Sequence, residues 1–497
     1  MDFSSLPSAL ESLPNTLGSL FTYHREAPLI FSSGLFWVLF VCFIPLYALM
    51  RRRKWQMLVF VIAFSLYFYY KCSGWFFLLL VSTSVIDWFI SRAMVQIESS
   101  AGRKWLVALS VVISLSILGF FKYANFFLWN WNNMVEGNFQ PLTLILPVGI
   151  SFYTFQSISY IVDVYRKRIA PASTWGEYLF FLSFFPALVA GPIVRAENFL
   201  PQIRENRHAN HQEIFGGLWL ILVGVIKKAV IADYIAQYND LIFASPGHYT
   251  GFESLMGIIG YTMQIYCDFS GYSDMAIGLA LIMGFRLDIN FNFPYKSKSL
   301  TEFWRRWHIS LSTWLRDYVY IPMGGNRKGT FRTYINNFLT MLIGGLWHGA
   351  AWKFIFWGGM HGVGLIINKL FRPLTSRLDG KAWFDLLAGC ITLVYVSLLW
   401  VFFRAESFND AIIIISTIFT DFSPQCILPF IEARALWVGL MAFIIVMHYL
   451  PQSFHDRAAS DFINSPWIFR LLVLLIVIQL VIEFSEADIA PFIYFQF

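Results

Sequence analysis

Long apolar runs recur along almost the whole of this chain, and they leave it few folds. A helix needs roughly 20 predominantly apolar residues to cross the hydrocarbon of a bilayer. Such runs are read at 28–50, 55–71, 75–96, 105–127, 143–165, 213–236, 252–285, 333–347, 350–371, 384–403, 436–450 and 467–485. A shorter one at 408–419 is ambiguous, and the run at 252–285 is expected to be broken. Inside lipid every backbone N–H and C=O must find its partner within the protein, which only helices and closed barrels achieve. The runs are continuous and do not alternate, which argues against a barrel. The expected fold is therefore all-α: a multispan integral membrane helix bundle of about 11 spans plus re-entrant and interfacial helices. Only 13% of the residues are charged, against roughly 25% in a soluble domain.

Basic loops set the expected orientation. Short loops rich in Lys and Arg stay in the cytoplasm. Arg51–Lys54, Arg103–Lys104 and Arg166–Arg168 all fall on one side if the spans alternate, which puts the N-terminus outside. Residues 1–27 lack the basic and apolar regions of a secretory signal and are expected to be an extracytoplasmic segment. No linker or repeat divides the chain, so 1–497 is expected to be one integral domain. The five cysteines show no metal-ligand spacing, and buried thiols are the default expectation for them.

Three segments resist simple threading. In 177–207, Pro186, Gly191 and Pro192 break any helix near its middle, which suits a re-entrant pair. In "YCDFSGYSDMAIG" (266–278), Asp268 and Asp274 are expected to cap a broken helix or hold an arginine. In "FWRRWHISLSTWLRDYVYIPMGGNR" (303–327), Phe303, Trp307, Leu311, Trp314 and Tyr318 recur at helical steps, predicting one helix with a single apolar stripe that lies at an interface or in a funnel rather than spanning. Ile309 is its misfit, and His308 falls at the stripe's edge. Residues 290–335 carry eight Lys or Arg against Glu302 and Asp317. The positive-inside rule accounts for such an excess; attraction of an anionic donor or headgroup is the functional addition.

Ionisable side chains at membrane depth are costly and usually face a cavity or a partner. His308, His348 and His361 are the histidines of the chain's centre. His348, between glycines in "LIGGLWHGAAWKF", can be a core histidine bonded to a carbonyl or a general base. The same two readings stand for His308 and, with the core role favoured, for His361. Arg404 is expected to end a span by snorkelling. No Ser–His–Asp constellation, Walker loop or metal-binding cluster is visible. A base without a protein nucleophile suits a reaction whose nucleophile is the substrate's own hydroxyl.

Five stretches carry a resemblance: "LPVGISFYTFQSISYIVDVYR" (146–166), "FFPALVAGPIVR" (184–195), "YCDFSGYSDMAIG" (266–278), "NFPYKSKSLTEFWRRWHISLSTWLRDYVYIPMGGNR" (292–327) and "LIGGLWHGAAWKFIFWGGMHG" (342–362). Together they resemble the membrane-bound O-acyltransferase (MBOAT) family, and its bacterial alginate O-acetylation branch above all. The resemblance makes 146–362 the motif-dense core and implies a funnel or tunnel with His348 and His308 as catalytic residues near its narrowest part. It implies an acyl thioester donor, acetyl-CoA by preference, arriving from the cytoplasm, and no metal. Trp304, Arg305, Arg306, Ser312, Arg316, Trp347 and Trp352 are the expected substrate-binding side chains. The arginines would guide the donor's anionic part and the tryptophans would seat it. The acceptor would be an extracytoplasmic polysaccharide or a partner protein that acetylates it, with the enzyme in the bacterial inner membrane among its lipids. D-alanyl transfer to a cell-wall polymer and secondary transport are the alternatives.

Overall fold

The computed structural model describes residues 18, 20–25, 28–189, 191–205 and 207–484. Most of the expected N-terminal segment and the last residue of the run 467–485 lie outside them. The described residues form helices and no strand. The first third holds α1 (Gly34–Met50), α2 (Lys54–Ser73), α3 (Phe77–Gln96), α4 (Ser100–Leu118) and α5 (Ala124–Val135). Next come α6 (Ile150–Tyr165), α7 (Trp175–Ser183), α8 (Ala196–Glu205), α9 (His211–Val225), α10 (Asp233–Ala244) and α11 (Gly251–Ile282). The broken "RRWHIS" segment forms α12 (Leu300–Arg306) and α13 (Ile309–Leu315), before α14 (Thr330–His348), α15 (Trp352–Thr375) and α16 (Ala382–Arg404). The chain finishes with α17 (Phe408–Thr420), α18 (Ile427–Ala433), α19 (Ala435–Tyr449), α20 (Gln452–Asn464) and α21 (Trp467–Phe484).

Six helical stretches among the described residues are long and apolar enough to cross a membrane, eight if each of two sharply bent pairs is one crossing. Eleven full crossings are not reached by length and composition. Helices α1, α6 and α19 have 17, 16 and 15 residues, short of the roughly 20 that hydrocarbon requires. The runs 55–71 and 75–96 belong to one stretch, Lys54–Gln96, which Gly74 interrupts at φ +62°. Only 6% of the apolar window of α21 and 17% of that of Ser100–Val135 are covered by protein. Their bare faces, with Trp105 and Val112 among them, are the lipid-facing surface of a multi-pass membrane protein.

At the centre stands α11, 32 residues long and buried along most of its length. Thr250 and Glu253 close a capping box at its start, which satisfies two orphan amides. The expected break at Ser270–Gly271 is absent. Asp268 and Asp274 neither cap a helix end nor hold an arginine. Asp268 pairs with Lys228 at 2.5 Å, and Lys228 also meets Asp233 at 2.7 Å. Asp274 pairs with Lys227 at 2.7 Å. Both lysines lie on a π-helical turn, Ile226–Ala232, between α9 and α10. With their carboxylates paired from a neighbouring element, the aspartates do not compete for α11's own backbone, and the helix runs through.

Residues 177–207 are broken as expected. After α7 the chain makes one turn, Phe185–Leu188, and is non-helical until α8. Two amides freed by the breaks are taken by buried hydroxyls: Phe185 N donates to Ser65 Oγ at 3.2 Å and Ile193 N to Ser310 Oγ at 3.0 Å. Broken backbone of this kind persists where protein covers it.

The segment 303–320 is not one helix. It divides at Trp307–His308, with His308 in the left-handed region at φ +43°. The cause is a docked strand-like segment, 290–292. Ile309 N donates to Asn290 O (2.9 Å), Ser310 N and Oγ donate to Asn290 Oδ1 (3.2 and 2.9 Å), and Asn292 N donates to Arg306 O (2.9 Å). These bonds replace the ones a continuous helix would make. The apolar stripe is nonetheless buried, with Phe303, Trp307, Leu311 and Trp314 all in the interior. Arg404 ends α16 and pairs with Asp240 at 2.6 Å. Of the cysteines only Cys72 and Cys267 are buried; Cys42 and Cys390 are exposed on helix faces and Cys426 is intermediate, because an apolar run in lipid need not face protein.

Candidate active site

His348 is the last residue of α14, and α15 begins at Trp352 after a three-residue reversal. The two helices pack backbone to backbone: a Cβ on Gly345 would lie 3.0 Å from Gly358 Cα, so only glycine fits there. This close approach brings the imidazole of His348 edge-on to Trp357 (ring centroids 5.0 Å) and Phe403 (5.4 Å). The residue is 3% exposed, yet it is not sealed. It lines a pocket of about 530 Å³, open mouth included, whose wall also contains Lys122, residues 146–152, Val189 and Trp347.

A helix end leaves its last carbonyls without intrahelical partners. At the end of α14 three of them are taken by one neighbouring turn, the π-helical Gly119–Tyr123 between α4 and α5. Tyr123 Oη donates to Leu346 O at 2.8 Å, and Lys122 Nζ donates to Trp347 O at 2.7 Å and His348 O at 2.9 Å. A cation suits the negative end of a helix dipole. Among the described residues, Lys122 is the only Lys, Arg, Asp or Glu in the pocket lining. Sequence reasoning missed it, although a lysine inside the apolar run 105–127 is the kind of signal that should have drawn attention.

His308 is fully buried behind the same wall. Its ring lies 6.0 Å from that of Trp347 and 6.5 Å from that of Phe152, both pocket residues. Trp347 also touches the His348 ring at 5.0 Å, so the indole is the common neighbour of the two histidines. Asn290 Nδ2 donates to Ser273 Oγ at 3.3 Å, which turns its Oδ1 toward His308. The 3.1 Å contact between His308 Nδ1 and Asn290 Oδ1 is then an N–H donating to oxygen. That network assigns the Nδ1–H tautomer and leaves the lone pair on Nε2. Beyond Trp347 the aromatic packing continues through Phe155 (5.3 Å) to Trp314, stacked on Phe155 at 3.7 Å.

The remaining expected site residues scatter. Trp347 is in the pocket wall. Trp304 Nε1 donates to His361 Nδ1 at 3.3 Å, which with the rings of Phe303 and Trp357 around it makes His361 a core histidine. Ser312 Oγ donates to Trp307 O at 3.2 Å. Arg306 pairs with Glu302 at 2.8 Å and Arg316 with Asp317 at 2.8 Å, while Arg305 is exposed. Trp352, half exposed, donates to Asn130 Oδ1 at 2.9 Å. Apart from Trp347, none of these six reaches the pocket lining.

Fold and site together define a helical, multi-pass membrane protein with an imidazole in the wall of a pocket and a second, oriented imidazole behind it. The chain belongs to the membrane-bound O-acyltransferase (MBOAT) family, whose model matches residues 173–404, and it is an O-acyltransferase. Four of the five quoted motifs fall inside that match; 146–166 lies before it. The chain is 38% identical to a probable alginate O-acetylase of Pseudomonas putida over 94% of this chain and 100% of the relative. It is 37% identical to a peptidoglycan O-acetyltransferase of Helicobacter pylori over 80% of this chain and 81% of the relative. A teichoic acid D-alanyltransferase of Bacillus subtilis is 29% identical over 57% of this chain and 74% of the relative.

Proposed function

We propose that this protein moves an acetyl group from a cytoplasmic thioester, acetyl-CoA by chemistry, to a hydroxyl of an extracytoplasmic polysaccharide, or to a partner protein that acetylates it. The single observation that carries the reading is His348 lining an open pocket at the N-terminal end of α6. The other end of α6 leads into Arg166–Lys167–Arg168. With basic loops inside, the pocket faces the acceptor's side of a bacterial inner membrane and the N-terminus lies outside. The two O-acetylating relatives, more similar and covered more fully than the D-alanylating one, support acetyl over D-alanyl transfer.

In this mechanism His348 accepts the proton of the acceptor hydroxyl, whose oxygen attacks the thioester carbonyl, and the thiol leaves. His308 acts from behind the wall, where its ring packs against Trp347 (6.0 Å) and holds that indole beside the acceptor. It does not polarise the carbonyl, because its one N–H is committed to Asn290. A positioned general base contributes about 10²–10⁴-fold. The purified protein in vesicles, given acetyl-labelled coenzyme A outside and an alginate or peptidoglycan oligosaccharide on the opposite face, should label the oligosaccharide. His348→Ala should abolish labelling while the protein remains folded. Accumulation of unmodified substrate inside the vesicles, with no label transferred, would make it a transporter instead.

A further inference from the structure

The neutral tautomer assigned to His308 removes that residue as a donor for the acyl oxygen, and the pocket wall contains a charged one. Nucleophilic attack on a thioester puts negative charge on that oxygen. In a site shielded from water, a preorganised positive group there is usually the largest contribution to rate. Lys122 lies in the pocket wall beside His348. An ammonium carries three N–H groups. Two of them are held by Trp347 O and His348 O at 2.7 and 2.9 Å. The ammonium is thus held in place, with the Trp347 ring 5.9 Å away, and its third N–H has no hydrogen-bond acceptor among the described contacts. The π-helical turn that carries it is a local departure from the α-helix of a kind often found at functional sites.

We propose that Lys122 is a catalytic residue: it anchors the end of α14 and donates its third N–H to the acyl oxygen as the tetrahedral oxyanion forms. The inference rests on the acyl-transfer reading given above. The acceptor oxygen bonds to the acyl carbon as its proton passes to His348. The carbonyl π pair moves onto the acyl oxygen, opposite Lys122. When that pair returns, the C–S bond breaks, and the thiolate leaves with the proton from His348. No other reactant is required.

The two roles of Lys122 separate by substitution in the full-length protein in vesicles, with acetyl-CoA and the oligosaccharide that the wild type labels. Lys122→Gln keeps amide donors for the carbonyls and removes the charge. It should lower kcat by about 10²–10³-fold, the usual cost of losing an oxyanion donor, with KM for both substrates within about threefold. Lys122→Arg keeps the charge and should recover kcat to within about tenfold of wild type. Tyr123→Phe removes only the bond to Leu346 O and should cost kcat less than about fivefold. Wild-type kcat in Lys122→Gln overturns the proposal. So does a loss that Lys122→Arg does not recover although it elutes and melts like wild type, or a loss as large in Tyr123→Phe, since either assigns the lysine to the clamp alone. A variant that fails to melt cooperatively is replaced by Lys122→Met, read against the same kcat threshold. Failure of the parent reading looks different: the wild type would then label no acceptor at all, and the inference falls with it.

Discussion

Two groups of charged or ionisable side chains inside this helix bundle are built on opposite plans. Around α11, Lys227, Lys228, Asp233, Asp268 and Asp274 pair within 2.5–2.7 Å, and none of them lines the pocket. At the end of α14, His348 and Lys122 face a pocket, and His308 is oriented by one amide behind them. Both groups are costly to bury. The first meets that cost within the protein and leaves nothing over for a ligand. The second keeps capacity in hand where a substrate can reach it. On the proposed reading, burial of charge does not mark a reacting site here; burial beside an open cavity does. Both groups also stand on π-helical turns, Ile226–Ala232 and Gly119–Tyr123, so that feature does not separate them either.

Breaking the two groups should have different consequences. The largest effect on turnover is expected from His348→Ala, a fall of about 10²–10⁴-fold with an unchanged melting profile in detergent. A melting temperature that drops with activity would make it a core histidine. Lys228→Met leaves Asp268 and Asp233 without their shared cation and should destabilise the protein by about 3–5 kcal/mol. Thermal melting would show this, while the folded fraction keeps its kcat. Adding Asp268→Leu should restore part of the loss, because an apolar replacement of both partners removes the uncompensated charge. A Lys228→Met protein that melts normally but is inactive would erase the distinction between the groups.

Asn290→Ala should cost less, about 1–3 kcal/mol of folding stability, the penalty for leaving a buried donor unpaired. It removes the acceptor that holds His308 Nδ1–H and Ser310, and thermal melting would register it. Trp352→Phe and Arg305→Ala should be the mildest, each within about 0.5 kcal/mol of wild type in stability and nearly unchanged in rate. Both side chains are exposed away from the pocket. A large loss in either would restore them to the substrate-binding set in which the sequence placed them.

Much of the class was legible from composition and period. Continuous apolar runs can only be helices in lipid, and helices occupy nearly all of them. His308 and His348 were singled out because imidazoles in apolar sequence are few, and both lie on Trp347. Less legible were the places where one segment's backbone depends on another's side chains. The stripe from Phe303 to Tyr318 has the right period for one helix, yet Asn290 takes the amides at its middle and divides it. "DFSGYSD" reads as a break, yet two lysines forty and forty-seven residues away in the chain keep α11 whole. Lys122 had no local partner to suggest a role, since the carbonyls it holds are over two hundred residues distant.

What this chain settles by itself is the solvent it must live in and the residues able to move a proton there. Hydrophobicity and residue chemistry are local properties that any reader of the sequence can sum. Which imidazole meets a cavity, which nitrogen of His308 keeps its lone pair, and which cation stands beside His348 were decided only when distant helices met. Hydrogen bonds and ion pairs act over about 3 Å, and nothing in the order of residues says which groups will come that close.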